Sequence, residues 1–220
     1  MAFVLLFVLT LFIHQPAFAM QSSAPQKATT EPATTQPSSP REAFASFFSA
    51  MAQGKPDQII PLCFAADDES RNIVADFRDV STAIAELRKT VIAKFGDAMA
   101  DTVLPQMAVP DDSEQMKQTI TGDKAVLESL TLGETVLVRA DGQWKLDVAA
   151  LRSSGNLPPN AHAYFSQLAA AIRATAGDVQ NGRFDNPVAA REALRARQEG
   201  IREDAPATQS SGSTQPATMP

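Results

Sequence analysis

Hydrophobic residues follow three successive patterns along the chain. Met1 to Ile13 is an apolar run interrupted only by Thr10. Between residues 40 and 104 apolar side chains recur at steps of three and four, the period of a helix. Beyond residue 114 they alternate with polar ones, the period of a strand with one buried face.

The helical stretch opens sharply. Ser39 is placed to cap, Pro40 suits the first helical position, and Glu42 completes a capping box. Phe44, Phe47, Phe48 and Met51 share a face, and Gly54 marks the stop. A second short helix is predicted from 56 or 57 to about 64, with Ile59, Ile60 and Cys63 on its apolar side. The longest element follows, capped by Asp67 or Asp68. Its Ile73, Phe77, Val80, Ile84, Leu87 and Val91 alternate steps of four and three, Phe95 closes the series, and Gly96 ends it. Such a stripe is either a coiled-coil seam or a face packed within one chain, and a sheet in the same chain favours the second. A turn or two of helix, 97–104, ends before Pro105.

Strands are predicted at 116–121 and 124–132 across a turn at Gly122-Asp123. Gly133-Glu134 fits a two-residue turn into 135–140, and Asp141-Gly142 is a strong hairpin signal returning through 143–149. With Asp141 and Gly142 as the loop, Ala140 pairs with Gln143 and Arg139 lies opposite Trp144. That geometry allows a cation–π contact worth about 0.5–1 kcal/mol. Trp144, Leu146 and Val148 would share a face with Leu137, and the helices are the available cover. After Pro158-Pro159, Tyr164, Phe165, Leu168 and Ile172 mark another amphipathic helix. Asn186-Pro187 starts a last one, rich in Ala and Arg, from Val188 to about Glu199. The fold class is α+β: N-terminal helices on a curved four-stranded antiparallel sheet, with extra C-terminal helices.

The two ends differ from this middle. The apolar run is followed by Ala17-Phe18-Ala19 and is too short for the ~20 residues of a spanning helix. It reads as a signal peptide, 1–19, although no Lys or Arg precedes it. The chain is thus expected to be exported, periplasmic or extracellular, with no stable membrane span after cleavage. No Cys follows the cleavage site, which argues against a lipid anchor. Residues 20–38 and 205–220 are rich in Ser, Thr, Pro, Ala and Gln and read as disordered linker and tail. Between them lie an α+β domain, 39–152, and a helical extension, 153–204.

The opening helix from Arg41-Glu42-Ala43-Phe44 to Gly54-Lys55-Pro56-Asp57, the segment Thr121-Gly122-Asp123-Lys124-Ala125-Val126, and the stretch from Val138 to Asp147 occur in a telling order. Over residues 40–150 that order resembles the nuclear transport factor 2-like (SnoaL-like) superfamily. The resemblance implies a cone, a bent sheet wrapped around helices, with a pocket inside. Some members of the family are isomerase- or dehydratase-like enzymes; many others bind ligands, dimerise or serve as accessory domains. The long helix and the C-terminal helices depart from its pattern.

The reactive inventory is small. Past residue 19 there is one His, one Cys, one Tyr and one Trp. Cys63 has no partner for an intramolecular disulfide and reads as a buried apolar residue. A nucleophilic site would have to use His162, and one histidine leaves a metal site short of ligands. Asp76, Asp79 and Glu86 could offer a general base from the long helix, but Tyr164, the sole phenol, lies outside the core region; the three read as a solvated face. Asp67-Asp68-Glu69 reads as a helix start. Asp111-Asp112-Ser113-Glu114 lacks the alternating acids and central Gly of a calcium loop.

A net charge of −6 disfavours a phosphate-binding surface. Arg183, Arg191, Arg195, Arg197 and Arg202 alternate with Asp185, Glu192, Glu199, Glu203 and Asp204, the pattern of a solvated helix rather than a nucleic-acid patch. No catalytic, metal or cofactor residue is assigned. The expectation is a non-catalytic binding or interaction domain for a small apolar ligand or a protein partner. The alternatives are an enzyme of the same fold using a helix carboxylate, and an oligomerisation module; a homodimer is compatible with each.

Overall fold

The computed structural model describes residues 37–104, 116–129 and 132–203. The predicted signal peptide, all but the end of the linker, the 111–114 loop and the tail lie outside them.

Helix α1 spans Pro40–Gln53 with Ser39 as its cap, the Ser39 hydroxyl accepting the Glu42 N–H at 3.2 Å. The Glu42 carboxylate reaches one residue beyond the predicted box, accepting from the backbone N–H and hydroxyl of Ser38 at 2.7 Å each. α2 covers Pro56–Leu62 and is shorter than predicted. Pro61 brings no N–H to its last turn, and the chain becomes extended as β1, Cys63–Phe64. Its buried face is Ile59 and Leu62, whereas Ile60 is 52% exposed, contrary to the expectation for that residue.

α3, Asp68–Phe95, is the central rod. Asp67 caps it by accepting the Ser70 N–H at 2.6 Å. Ile73, Phe77, Val80, Ile84, Leu87 and Val91 are all buried within the chain, so the stripe is spent on intramolecular packing and not on a coiled-coil seam. A 3₁₀ turn, Asp97–Met99, and the short α4, Ala100–Val103, follow.

Among the described residues the sheet is mixed and has five strands, in the order β1-β5-β4-β3-β2. β2 (Lys117–Thr121), β3 (Lys124–Ser129), β4 (Gly133–Ala140) and β5 (Gln143–Asp147) pair antiparallel in succession. The strand absent from the sequence reading is β1, which lies parallel to β5 through Cys63↔Leu146 and Phe64↔Asp147. A two-residue strand carries no periodicity, so no pattern could reveal it.

Two turns test the register. Asp141 and Gly142 both take positive φ, 55° and 76°, and Arg139 lies opposite Trp144 as predicted. The other turn falls elsewhere: Ser129 pairs with Gly133, so Gly133-Glu134 already belongs to β4. β5 also stops early. Asp147 accepts the Ala150 N–H at 3.0 Å and starts α5, Val148–Ser153, where a strand to 149 was expected. The Glu134 carbonyl, beyond the reach of β5, accepts from the buried Asn156 amide at 2.6 Å.

α6, Ala161–Gln180, and α7, Pro187–Glu203, are the last elements among the described residues. The larger core packs residues of α1, α2, α3, α5, α6 and α7 together. A second core lies between α1 and the sheet, where Ala43 and Phe44 cover Met116, Ala125, Leu127, Leu137 and Trp144. Trp144 is thus covered by α1, and the expected Arg139 contact is not formed: among the described residues the cation over a ring is Lys94, on Phe95.

Candidate functional site

His162 and the candidate helix carboxylates gather where α6 lies along α3. His162 meets Asp76, Arg173 meets Asp79 and Glu86, and Lys94 lies beside Gly182. These positions ascend together, so the two helices run parallel. Their apolar faces meet at Phe77 and Phe165, edge to face with centroids 5.0 Å apart. That pair belongs to an aromatic chain from Phe44 through Phe48, Phe47, Phe77 and Phe165 to Tyr164, with successive centroids between 4.7 and 5.5 Å. It joins the sheet-side core to the helical core. Tyr164 is packed against this chain by its ring.

Asp76 is buried, which corrects the expectation of a solvated residue. α6 lies over that flank of α3, and the Nδ1–H of His162 donates to the Asp76 carboxylate, 2.9 Å from each oxygen. An ionised carboxylate only accepts, so Nδ1 carries the proton. The imidazole itself is largely exposed. His162 stands in the first turn of α6, where the helix dipole also favours the neighbouring negative charge.

Asp79 and Glu86 share one cation. Arg173 donates from Nη1 to Asp79 at 3.0 Å and also from Nη2, while its Nε lies 3.4 Å from Glu86. The forked geometry suits a guanidinium. These hydrogen bonds, helped by the Arg173 charge against a desolvation cost, hold the Asp79 carboxyl below its ordinary range. All three helix carboxylates singled out in the sequence therefore face cationic or hydrogen-bonding groups of α6. Arg173 escaped the sequence reading, yet a signal existed. Asp76, Asp79 and Glu86 are spaced by three and seven, and His162 and Arg173 by eleven, so each set marks one flank of its helix.

Arg152 and Arg197 also join elements. Arg152 of α5 lies 3.2 Å from Asp67 and 2.6 Å from Glu69, tying the end of the sheet to the start of α3. The Ser70 N–H, ahead of Arg152, keeps the Asp67 carboxyl low. On α7, Arg197 donates to the buried Thr175 hydroxyl at 2.6 Å and to Asp178, whose carboxyl it holds below the usual range, with Arg183 adding to the effect. Arg191 and Arg195 pair with Glu192 and Glu199. Burial pushes the Cys63 thiol up to about 12, which leaves it unreactive at neutral pH.

Among the described residues no group of three or more His, Cys, Asp and Glu is arranged to hold a metal ion. No helix among them is long and apolar enough to cross a membrane. No family model, curated protein or solved structure matches the chain.

Proposed function

We propose that this is an exported, non-catalytic interaction domain of the nuclear transport factor 2-like type, its sheet bent into part of a cone, which engages a protein partner outside the cytoplasm. One observation carries the non-catalytic reading: each candidate base on α3 is committed to a partner on α6. A general base must be free to take a proton from substrate. A carboxylate forked onto arginine is a weak base, and Asp76 is covered.

A protein partner is favoured over a small apolar ligand by the inner face of the sheet. Phe44, Met116, Leu127, Leu137 and Trp144 fill it with the chain's own side chains. Native mass spectrometry of the full chain tests this part, with the unliganded mass expected. A stoichiometric apolar adduct would replace the protein-partner reading with the ligand one.

Stability separates this reading from the enzymatic alternative without knowledge of a substrate. If the seam is structural, Asp76→Asn and Asp79→Asn each lower the melting temperature. Strained or unfavourable groups retained for catalysis behave the opposite way, and their removal stabilises. A stabilising Asp76→Asn would hand the site to an enzyme. Export is tested by intact mass of protein recovered from cells, with cleavage after Ala19 expected.

A further inference from the structure

The sheet has two edges, and they are unlike. β1 is only two residues long, which by itself protects that edge. β2 is five residues long, and no strand lies beyond it among the described residues.

Register fixes which groups of β2 face outward. The turn at Gly122-Asp123 closes on the pair Thr121↔Lys124, so Thr121, Thr119 and Lys117 exchange hydrogen bonds with β3. The Arg139 N–H donating to the Asp123 carbonyl at 2.7 Å fits the same alternation, with odd-numbered positions of β3 turned to β4. The backbone N–H and C=O of Gln118 and Ile120 therefore point away from the sheet. The Met116 carbonyl, two residues earlier, accepts a hydrogen bond from Arg41 of α1. Among the described residues the edge is closed at its start and open over Gln118 to Ile120.

Ile120 is 50% exposed although it lies opposite Ala125, on the face that continues into Leu127, Leu137 and Trp144. The apolar layer under α1 thus runs out to solvent at β2. Natural edges are commonly guarded by proline, a bulge or an outstretched lysine. β2 has no proline, its pairing with β3 is unbroken, and the Lys117 ammonium is drawn back over the sheet to Glu128 at 2.8 Å.

We infer that β2 is the contact through which two copies of this chain pair, antiparallel about a two-fold axis at Thr119. This goes beyond the interaction reading above and does not depend on any other partner. The strand is complementary to itself in that register. Gln118 meets Ile120 of the second copy and Ile120 meets its Gln118, and both pairs are outward-facing, so each exchanges two backbone hydrogen bonds. Thr119 meets Thr119 on the outer face, a favourable cross-strand pair. Lys117 meets Thr121, so no like charges are opposed, and the outer row across the junction reads Lys124, Thr121, Lys117, Glu128. Each Ile120 gains the aliphatic part of Gln118 as cover.

Sedimentation of the full chain over rising concentration, with three variants, tests the inference. The unmodified chain is expected to dimerise with concentration. Ile120→Pro removes an outward N–H and leaves every β2–β3 hydrogen bond in place, so it is expected to be a folded monomer. Should that variant fail to fold, Ile120→Lys puts a charge at the junction and is expected to abolish the dimer likewise. Thr119→Cys places two thiols in a non-hydrogen-bonded pair about 4.5 Å apart between Cα atoms, within disulfide reach, and is expected to cross-link under mild oxidation. Lys117→Cys, four residues out of register with itself, is expected not to. A monomer at every concentration, a dimer untouched by both Ile120 variants, or equal cross-linking at both cysteine positions would overturn the inference.

Discussion

Replacing Gly54 by alanine separates two roles that a glycine can play at a helix end. α1 ends in a Schellman turn, the Lys55 N–H donating to Ala50 at 2.9 Å and the Gly54 N–H to Met51 at 3.1 Å. Gly54 takes φ +65°, where a side chain costs about 1 kcal/mol. It also lies against α3. A Cβ there would stand 2.6 Å from the Ala85 nitrogen and 2.9 Å from its Cα, both backbone atoms of a central rod that cannot turn aside. Overpacking of this kind costs a further ~1–3 kcal/mol. Together Gly54→Ala should lose about 2–4 kcal/mol, lowering the melting temperature by roughly 5–15 °C for a domain of this size. The control is Gly155, which ends α5 with the same two hydrogen bonds, Asn156 to Leu151 at 3.0 Å and Gly155 to Arg152 at 3.2 Å. Its φ is +74° and nothing lies within 4 Å of its Cβ direction, so Gly155→Ala should show only the conformational cost. Urea denaturation followed by Trp144 fluorescence measures both. Equal losses would refute the close approach of α1 to α3.

Three other outcomes follow from the seam and the cores. His162→Ala strips the buried Asp76 carboxylate of its donor and should destabilise by about 1–3 kcal/mol, a loss that His162→Ala combined with Asp76→Leu largely recovers; chemical denaturation reads both, and an additive pair would count against the contact. Asp79 and Asp178 are held below the ordinary 3.8 by arginine, so their stabilisation is whole above that value and is lost as pH falls through the lower folded values; urea midpoints that do not fall below about pH 4 would contradict it. Cys63, with its ordinary value of 9.0 pushed up to about 12 by burial, should resist alkylation in the native state and react only on unfolding, and stability should decline as pH rises above 9; rapid native labelling at neutral pH would place the thiol at the surface.

Local chemistry made the long elements legible. The Ser39 cap, the Gly54 stop and the apolar stripe of α3 each act within a few residues, and a pattern of that range is written in the sequence. The Asp141-Gly142 turn fixed the Arg139–Trp144 register for the same reason. What failed was decided at a distance. Cys63-Phe64 becomes a strand because β5 offers an open edge, and Gly133 joins β4 rather than a turn because Ser129 pairs with it. Asp76 is buried because a helix some ninety residues later covers it. Periodicity shows that a helix has a polar flank; which polar flank meets another helix depends on packing that no window of the chain contains. A local signal also went unread at Asp147, a cap residue placed in the middle of an expected strand.

The side-by-side course of α3 and α6 sets a further condition on where this protein can make contacts. Parallel neighbouring helices bring like ends of their dipoles together, an arrangement that favours compensating charge along the seam. Asp76 beside the first turn of α6 supplies it at that end, and Arg173 between Asp79 and Glu86 ties the middle of the seam by ion pairing. Charges used in this way are not free to recognise anything else, and the inner face of the sheet is filled by α1. Under the interaction reading proposed above, recognition falls to surfaces whose groups lack partners among the described residues. The outward N–H and C=O groups of Gln118 and Ile120 are such groups, and Ile120 beside them is apolar and exposed. A surface that combines unmet hydrogen bonds with exposed hydrocarbon gains more from a partner strand than from water. Pairing at β2 would extend the sheet while leaving the helical seam as it stands.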